Sequence, residues 1–309
     1  MKLRIGMDLG GTTAKLGVVN EQNEIVERKV IPTEKGITFE ETIAQLAEGI
    51  LSMGDIGIVG FGVPSSLKPG TDVVIHANNL GWKNKDLRGE LKKHLGTIPI
   101  YIANDADSAA VGEYFQGAGQ GCQSMLMLTL GTGVGGGYIY QGRLYRGGNG
   151  CGFEPGHMIV QQDGIPCTCG MHGCLESYCS ATGIIREITA CKSSPALQEL
   201  IADNGGKATA RMLFDAVRAG DAAAKDILAQ YVHTLAIGIG SLTTILRPEI
   251  VVIGGGVSGA GDLLFDPLRE EVKRTTFSYD VIGGAAIIPA ALGNDAGIIG
   301  AAMLDRVMI

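Results

Sequence analysis

Short apolar runs that end in glycine clusters are the feature of this sequence that most limits its fold. The three clusters are GGTT at residues 10–13, GTGVGGG at 131–137 and GGGVSG at 254–259. Glycine accounts for 48 of the 309 residues, more than twice its usual share, and shows no collagen period. Because glycine permits sharp turns and close approach of the backbone, the clusters predict turns after strands that can present N–H groups to an anion.

The apolar pattern of the first part of the chain predicts strands and helices in alternation. Three apolar stretches within residues 3–30 are separated by turns, which is typical of a hairpin meander. A helical pattern over about 38–53 is followed by the apolar run IGIVGFGV, which indicates a parallel crossover. We further expect a loop at 64–81, a helix near 86–95, a strand at 98–103 and a helix that begins near Asn104.

The second part of the chain repeats this order of elements. The run SMLMLTL and its glycine cluster precede two hairpin segments, YIYQG and RLYRG, and then helical segments within 180–247. The strand EIVVI, a helix, a strand near AAIIP and a helix at about 294–307 complete the pattern. We therefore predict an α/β protein of two domains: residues 1–117 with the C-terminal helix at about 294–309, and residues 118–293.

Composition and charge exclude several classes of protein. Hydrophobic residues make up 45% of the chain and charged residues 18%, which excludes a disordered chain. The net charge of −7 and the lack of a long Lys/Arg run argue against a nucleic-acid partner. Asp8 interrupts the first apolar stretch, and the uncharged segment 114–142 lacks a continuous apolar core. We therefore expect no signal peptide, no membrane span and a cytoplasmic location.

Two glycine clusters match the dinucleotide-binding pattern GxGxxG, at Gly131 and at Gly254. That pattern requires a strand, a turn, a helix and an acidic residue about 20 positions later. The first cluster is followed by a predicted strand, and the acidic residues after the second, Glu270 and Glu271, lie inside a predicted helix. The P-loop pattern is absent. The residues therefore favour phosphate binding at strand turns over an NAD site or a P-loop.

Asp8 ends the first predicted strand, and Thr12 and Thr13 follow on its turn. A carboxylate with hydroxyls beside a phosphate-binding turn suits Mg²⁺, which prefers oxygen ligands and binds together with phosphates. The same residues also suit an ordinary hairpin. The second glycine cluster, which has the same strand-turn-strand pattern, favours the phosphate interpretation.

Asn104 and Asp105 lie where a predicted strand meets a predicted helix. A side chain held at such a junction can act as a general base in phosphoryl transfer. The local sequence alone favours the alternative that these two residues are only the N-cap of a helix. Asp107 is a third candidate for the base.

Three of the seven cysteines are clustered. Cys167, Cys169 and Cys174 follow His157 in the spacing CxCxxxxC, and three thiolates with one imidazole form a closed tetrahedral zinc site. His172 is an alternative fourth ligand, and reduced thiols on an ordinary loop are the alternative to metal binding. An odd cysteine count without an export signal argues against disulfides. No role is assigned to Cys122, Cys151, Cys179 and Cys191.

Six motifs in a fixed order resemble the ROK family of sugar kinases and sugar-responsive repressors, and within it the ATP-dependent glucokinases of bacteria. They are DLGGTTAKLGVV, IANDADSAAVGE, LTLGTGVGGGYIYQGRLYRG, EPGHM, CTCGMHGCLES and RPEIVVIGGGVS, and the resemblance extends from Arg4 to Met303. It implies an actin-like or hexokinase-like (ribonuclease H-like) fold, in which two duplicated α/β domains enclose a cleft for ATP and sugar.

The resemblance also implies roles for particular residues. Asp105, directly after Asn104, would be the catalytic base, and Asp8 would place Mg²⁺. The implied hexose ligands are Gly62, Asn79, Asn104, Asp105, Glu154, His157 and Glu176. The implied ATP-binding residues are Asp8, Gly10, Gly11, Thr12, Thr13, Lys15, Gly131, Thr132, Gly133, Gly135, Gly254, Gly255 and Gly256. The implied ligands of a structural Zn²⁺ are His157, Cys167, Cys169 and Cys174.

The implied reaction transfers the γ-phosphoryl group of ATP to the 6-hydroxyl of glucose, in a homodimer or homotetramer. The chain departs from the family's common AGEIGH motif because Phe153 and Pro155 flank Glu154. Other acceptors therefore stay open: N-acetylmannosamine, N-acetylglucosamine, fructose or allose. A sugar-sensing repressor would carry a winged helix before the first glycine motif, and DLGG here begins at residue 8.

Overall fold

The computed structural model describes residues 2–33 and 36–308. Its strands are β1 (Leu3–Leu9), β2 (Thr13–Val19), β3 (Ile25–Pro32), β4 (Ile56–Val63), β5 (Val73–Ala77), β6 (Trp82–Asp86), β7 (Ile100–Asn104), β8 (Ser124–Leu130), β9 (Val134–Tyr140), β10 (Arg143–Leu144), β11 (Ile250–Gly254) and β12 (Ala286–Pro289). Its helices are α1 (Phe39–Leu51), α2 (Leu87–Leu95), α3 (Asp105–Gln116), α4 (Leu175–Cys179), α5 (Ala181–Ala190), α6 (Pro195–Asp203), α7 (Ala210–Arg218), α8 (Ala222–Leu246), α9 (Asp262–Thr275), α10 (Tyr279–Ile282), α11 (Ala296–Ala302) and α12 (Leu304–Val307).

The first sheet has five strands in the order β3-β2-β1-β4-β7. The first three strands are antiparallel, as the meander pattern predicts, while β1 with β4 and β4 with β7 are parallel. Parallel neighbours need a crossover connection. Helix α1 lies in the connection from β1–β3 to β4, and α2 lies in the connection to β7.

The second sheet has the same plan, with strands in the order β10-β9-β8-β11-β12. Strands β9 and β10 are antiparallel, and β11 and β12 are parallel. The repeat predicted from the two strand-glycine-strand patterns is therefore present in the sheet order. In the described part of the chain, no helix combines the length and the apolar content that a membrane crossing requires.

The chain divides into two compact units. One contains residues 1–126, 137–153 and 291–309, and the other contains residues 127–136 and 154–290. These limits divide β8 and β9 between the units, whereas the sequence pattern predicts a boundary at residue 117. The predicted domain limits stay a prediction, and their outermost residues, 1 and 309, lie outside the described residues.

Two local expectations from the sequence are wrong. The segment 64–81 is not a loop throughout, because β5 lies within it and pairs with β6 in an antiparallel hairpin. Prolines and glycines around the five-residue strand hide its pattern. The expected single helix at 294–307 is interrupted at Met303, which separates α11 from α12.

Helix α1 illustrates why the sequence folds locally as predicted. Thr38 accepts a hydrogen bond from the Glu41 backbone N–H at 3.2 Å, and the Glu41 carboxylate accepts one from the Thr38 N–H at 2.8 Å. This reciprocal capping fixes the start of the helix. Its residues Ile43, Leu46 and Ile50 are fully buried on one face, in the core that also contains β1 and β4.

Helix α11 packs directly on the backbone of its neighbours. A Cβ atom at Gly6 of β1 would overlap the carbonyl oxygen of Ile298, and one at Gly60 of β4 would overlap that of Ala301. At the crossing with α3, a Cβ at Gly300 would overlap the carbonyl oxygen of Ser108. Several of the many glycines therefore serve close packing of elements, in addition to turns.

We expect Gly300→Ala to lower the free energy of unfolding by about 1–3 kcal/mol or more, because the added methyl group overlaps backbone. The midpoint of urea unfolding measures this. Gly148→Ala is the matched control: no described residue lies within 4 Å of its Cβ position, so it should change stability by less than about 0.5 kcal/mol. Equal midpoints for the two variants would contradict the packing described.

Candidate active site

The carboxyl ends of three parallel strands form one edge of the first sheet. Asp8 of β1 is in register with Gly62 of β4, and Val63 of β4 is in register with Asn104 of β7. In open α/β sheets, ligands bind at the carboxyl ends of the strands. The structure thus brings together three of the site residues that the sequence places far apart, Asp8, Gly62 and Asn104.

Asp105 is the first residue of α3 and is exposed. Asn104 caps the helix, since its side-chain oxygen accepts a hydrogen bond from the Ala106 N–H at 2.7 Å. The same N–H lies 2.8 Å from Oδ1 of Asp105. The N-cap interpretation is therefore correct for Asn104, while the Asp105 carboxylate faces solvent at the edge of the sheet.

Asp107, the third candidate for the base, is only 2% exposed. Gly137 and Gly152 lie against it, and a Cβ at Gly152 would be 3.5 Å from its Oδ2 atom. A buried carboxylate cannot contact a dissolved substrate. The burial therefore favours Asp105 over Asp107.

Asp8 lies opposite Lys15 in the β1–β2 hairpin. Burial raises the pKa of Asp8 above its ordinary value, and the Lys15 ammonium partly opposes this rise. The turn between the strands is closed by a hydrogen bond from the Gly10 N–H to the Thr13 carbonyl oxygen at 2.9 Å. This places an acid, a cation and two threonine hydroxyls on one short hairpin.

Asn79 lies in the short 3-10 helix that connects β5 and β6. It packs against the GGTT turn, because a Cβ at Gly11 would overlap the Asn79 side chain. A cavity of about 650 Å³ adjoins both residues. Its other lining residues include Thr33, Thr42 and Trp82, so the described lining is uncharged.

The second glycine turn lies in the other unit. The Gly131 N–H donates to the Gly133 carbonyl oxygen at 3.0 Å, and the Val134 N–H donates to Oε2 of Glu176 at 3.0 Å. The other carboxylate oxygen of Glu176 accepts a hydrogen bond from the Thr168 hydroxyl at 3.3 Å. The predicted hexose ligand Glu176 therefore touches the predicted phosphate turn.

Glu154 is exposed and lies between two well-packed residues. The Phe153 ring belongs to an aromatic cluster, with its centroid 6.4 Å from Tyr138 and 6.3 Å from Tyr145. Pro155 opens a 3-10 helix that extends to His157, a position where proline is well tolerated. The residues that depart from the AGEIGH motif thus fix the chain on both sides of Glu154.

The structure brings His157, Cys167, Cys169 and Cys174 together, with one ligand atom from each within 4.8 Å of the others. The Sγ atoms of Cys169 and Cys174 are 3.7 Å apart, and Nδ1 of His157 is 3.7 Å from Sγ of Cys167. Tetrahedral Zn–S bonds of about 2.3 Å separate two sulfur atoms by about 3.8 Å. The four residues therefore fit a zinc ion, and His172, the alternative fourth ligand, is not in this Cys₃His cluster.

The thiols of the Cys₃His cluster differ in acidity. Burial is the largest single influence and opposes ionisation of Cys167, but hydrogen bonds from Cys169, Ser177 and His157 together outweigh it and lower the pKa of Cys167 to about 7. Burial and the neighbouring thiols raise the pKa of Cys174 to about 12. A bound cation favours the thiolate form of its ligands.

The third glycine cluster follows β11. Gly255 has a φ of +84° and precedes a 3-10 helix at Gly256–Ala260, where the glycine cluster predicts a turn. A cavity of about 440 Å³ lies between Gly256 and helix α7, which contributes Arg211 and Phe214. Arg211 and Phe214 were not among the predicted site residues, because nothing in an ordinary amphipathic helix marks a side chain as lining a cavity.

The repeated sheet order defines the class of protein: a two-domain α/β protein with the actin-like sugar kinase fold. The ROK family model matches residues 4–307, so the chain belongs to the ROK family. The fold class and the family inferred from the six motifs are therefore both confirmed.

Several relatives resemble the chain over nearly its whole length. A glucokinase from Thermotoga maritima is 39% identical, covering 98% of this chain and 96% of the relative. A glucokinase from Halalkalibacterium halodurans is 38% identical, covering 98% of this chain and 94% of the relative. A crystal structure of a ROK family glucokinase from Streptomyces griseus, in complex with glucose and AMPPNP, superposes with a TM-score of 0.82 at 33% identity and 98% coverage of both chains.

Proposed function

We propose that this chain catalyses the glucokinase reaction, in which the γ-phosphoryl group of ATP is transferred to the 6-hydroxyl group of glucose. The observation that carries the proposal is the exposed carboxylate of Asp105, which Asn104 and the start of α3 hold at the carboxyl edge of the first sheet. The choice of glucose and ATP is supported by the similarity to glucokinases of full length, one of them crystallised with glucose and AMPPNP.

The chemistry assigned to Asp105 is that of a general base. Its carboxylate accepts the proton of the sugar hydroxyl as that oxygen attacks the γ-phosphorus atom. The proposed hexose ligands supply the amide, carboxylate and imidazole groups that orient sugar hydroxyls. They are Gly62, Asn79, Asn104, Glu154, His157 and Glu176.

The phosphates are assigned to the glycine turns. Backbone N–H groups of the turns at 10–13 and 131–135 bind them, and Lys15 adds a positive charge beside the first turn. Asp8 is suited to hold a hydrated Mg²⁺ ion, which neutralises phosphate charge when bound. The raised pKa of Asp8 fits a carboxylate whose charged form becomes favourable once a cation is present.

The cavity beside Gly256 is assigned to the adenosine part of ATP. Its volume of about 440 Å³ lies in the range of small-molecule sites. Phe214 and Val257 supply apolar surface, and Arg211 supplies an exposed guanidinium group. Gly254, Gly255 and Gly256 connect this cavity to the end of β11.

The Cys₃His cluster is assigned to a structural zinc ion. The side chain of His157 faces Cys167 through Nδ1, so its Nε2 atom is the nitrogen available for a sugar hydroxyl. The metal would then orient a substrate contact as well as stabilise the loop.

We expect Asp105→Asn to reduce kcat about 10²- to 10⁴-fold, because the amide cannot accept the proton, while the affinity for glucose changes less than about three-fold. A coupled assay of ADP release, together with calorimetric titration of glucose, measures both. Asp262→Asn is the matched control, since Asp262 is the exposed first residue of α9. Asp105→Asn with wild-type turnover would contradict the assigned base.

In the same assay of ADP release, N-acetylglucosamine, N-acetylmannosamine, fructose and allose should give lower kcat/KM than glucose.

Removal of the metal should affect both stability and sugar binding. We expect one zinc ion per chain, and its chelation should lower Tm by roughly 5 °C or more and raise the KM for glucose. Metal analysis, thermal unfolding and initial rates measure these effects. Cys174→Ser should lose the zinc, whereas Cys191→Ser, outside the Cys₃His cluster, should keep it. A metal-free chain with unchanged KM for glucose would refute the role given to His157.

A further inference from the structure

The glycine turn at 131–134 forms three hydrogen bonds with one short segment, residues 176–182. Oε2 of Glu176 accepts from the Val134 N–H at 3.0 Å. The Ala181 N–H donates to the Gly131 carbonyl oxygen at 2.7 Å, and the Thr182 hydroxyl donates to the Thr132 carbonyl oxygen at 2.8 Å. All of these residues belong to the same compact unit.

The segment 176–182 is itself held just before it begins and again near its middle. At its start, the zinc-ligand candidate Cys174 is the N-cap residue of α4, and the next residue, Leu175, donates its N–H to the Met158 carbonyl oxygen at 2.9 Å. At the junction with α5, the buried Tyr231 hydroxyl donates to the Cys179 carbonyl oxygen at 2.9 Å. The groups that contact the turn are therefore fixed between the Cys₃His cluster and helix α8.

The hydrogen bonds from Ala181 and Thr182 determine the direction in which the turn points its own N–H groups. In a planar trans peptide unit, the C=O and N–H bonds point in opposite directions. The Gly131 carbonyl shares its peptide unit with the Thr132 N–H, and the Thr132 carbonyl shares its unit with the Gly133 N–H. When Ala181 and Thr182 hold these carbonyl oxygens, the N–H groups of Thr132 and Gly133 are directed to the opposite side of the turn.

The remaining N–H groups of the turn are already used within the protein. The Gly131 N–H donates to Gly133, and the Val134 N–H donates to Glu176. On the Glu176 side there is no free space, because a Cβ at Gly133 would overlap Oε2 of Glu176, whereas nothing lies within 4 Å of a Cβ at Gly131. The turn is thus closely packed at Gly133, beside Glu176, and has space beside Gly131 among the described residues.

We infer that Thr182 is a positioning residue for the phosphoryl donor: its hydroxyl, with the Ala181 N–H and Glu176, holds the turn so that the Thr132 and Gly133 N–H groups are directed at a phosphate. The inference rests on the proposed function. Beyond the proposed function, the inference makes the affinity for ATP depend on α4 and α5, the helices that follow the Cys₃His cluster. Glu176 then contributes to the site for the donor as well as to the site for the sugar.

Thr182→Val tests this inference, because it removes the hydroxyl group and keeps the size of an exposed side chain. Loss of one neutral hydrogen bond should raise the KM for ATP, and the Kd for AMPPNP measured by calorimetry, about 2- to 10-fold. The KM for glucose and Tm should stay near their wild-type values. Thr182→Ser restores the hydroxyl and should restore the affinity for AMPPNP.

The matched control is Thr189→Val. Thr189 is exposed on the same helix, and its hydroxyl donates within the helix to the Ile185 carbonyl oxygen at 2.6 Å. This variant should bind AMPPNP as the wild type does. Unchanged AMPPNP affinity in Thr182→Val, or a parallel rise in the KM for glucose, would overturn the inference and leave the proposed function in place. A wild-type chain that binds no AMPPNP and releases no ADP would overturn the proposed function itself.

Discussion

The close packing of α11 against the backbone of its neighbours is the constraint on which the first unit depends. Glycine at positions 6, 60 and 300 lets this helix contact β1, β4 and α3 without side chains in between. One rigid helix therefore sets the positions of the strand that carries Asp8, the strand that carries Gly62 and the helix that begins with Asp105. Protein interiors transmit such packing directly to neighbouring elements because they are as dense as organic crystals.

The second unit achieves comparable precision by hydrogen bonds. Its glycine turn at 131–134 is flexible by composition, yet it is fixed by hydrogen bonds with Glu176, Ala181 and Thr182. The Cys₃His cluster lies immediately before these residues in the chain. A zinc ion bound as proposed by the Cys₃His cluster would therefore help to position a turn that glycine alone would leave mobile.

Much of the fold could be predicted from the sequence because hydrophobic periodicity and capping residues are local signals. Helix α1 and the repeated strand-glycine-strand pattern were predicted in this way, and the clustering of His157 with three cysteines follows from ligand chemistry. The β5–β6 hairpin was not predicted, because its strands are short and lie among turn residues. The contacts of Arg211, Phe214 and Thr182 could not be predicted either, since they depend on which distant segments meet in space.

The central claim is that Asp105 receives the proton of the attacking sugar hydroxyl. A crystal structure of the chain with glucose and a non-hydrolysable ATP analogue tests it most directly. We predict that a carboxylate oxygen of Asp105 lies about 2.6–3.2 Å from the oxygen of the glucose 6-hydroxyl, and that this hydroxyl oxygen is in line with the γ-phosphorus atom and its leaving oxygen. Glucose bound with its 6-hydroxyl beyond hydrogen-bond distance of Asp105, and beside a different base, would contradict it.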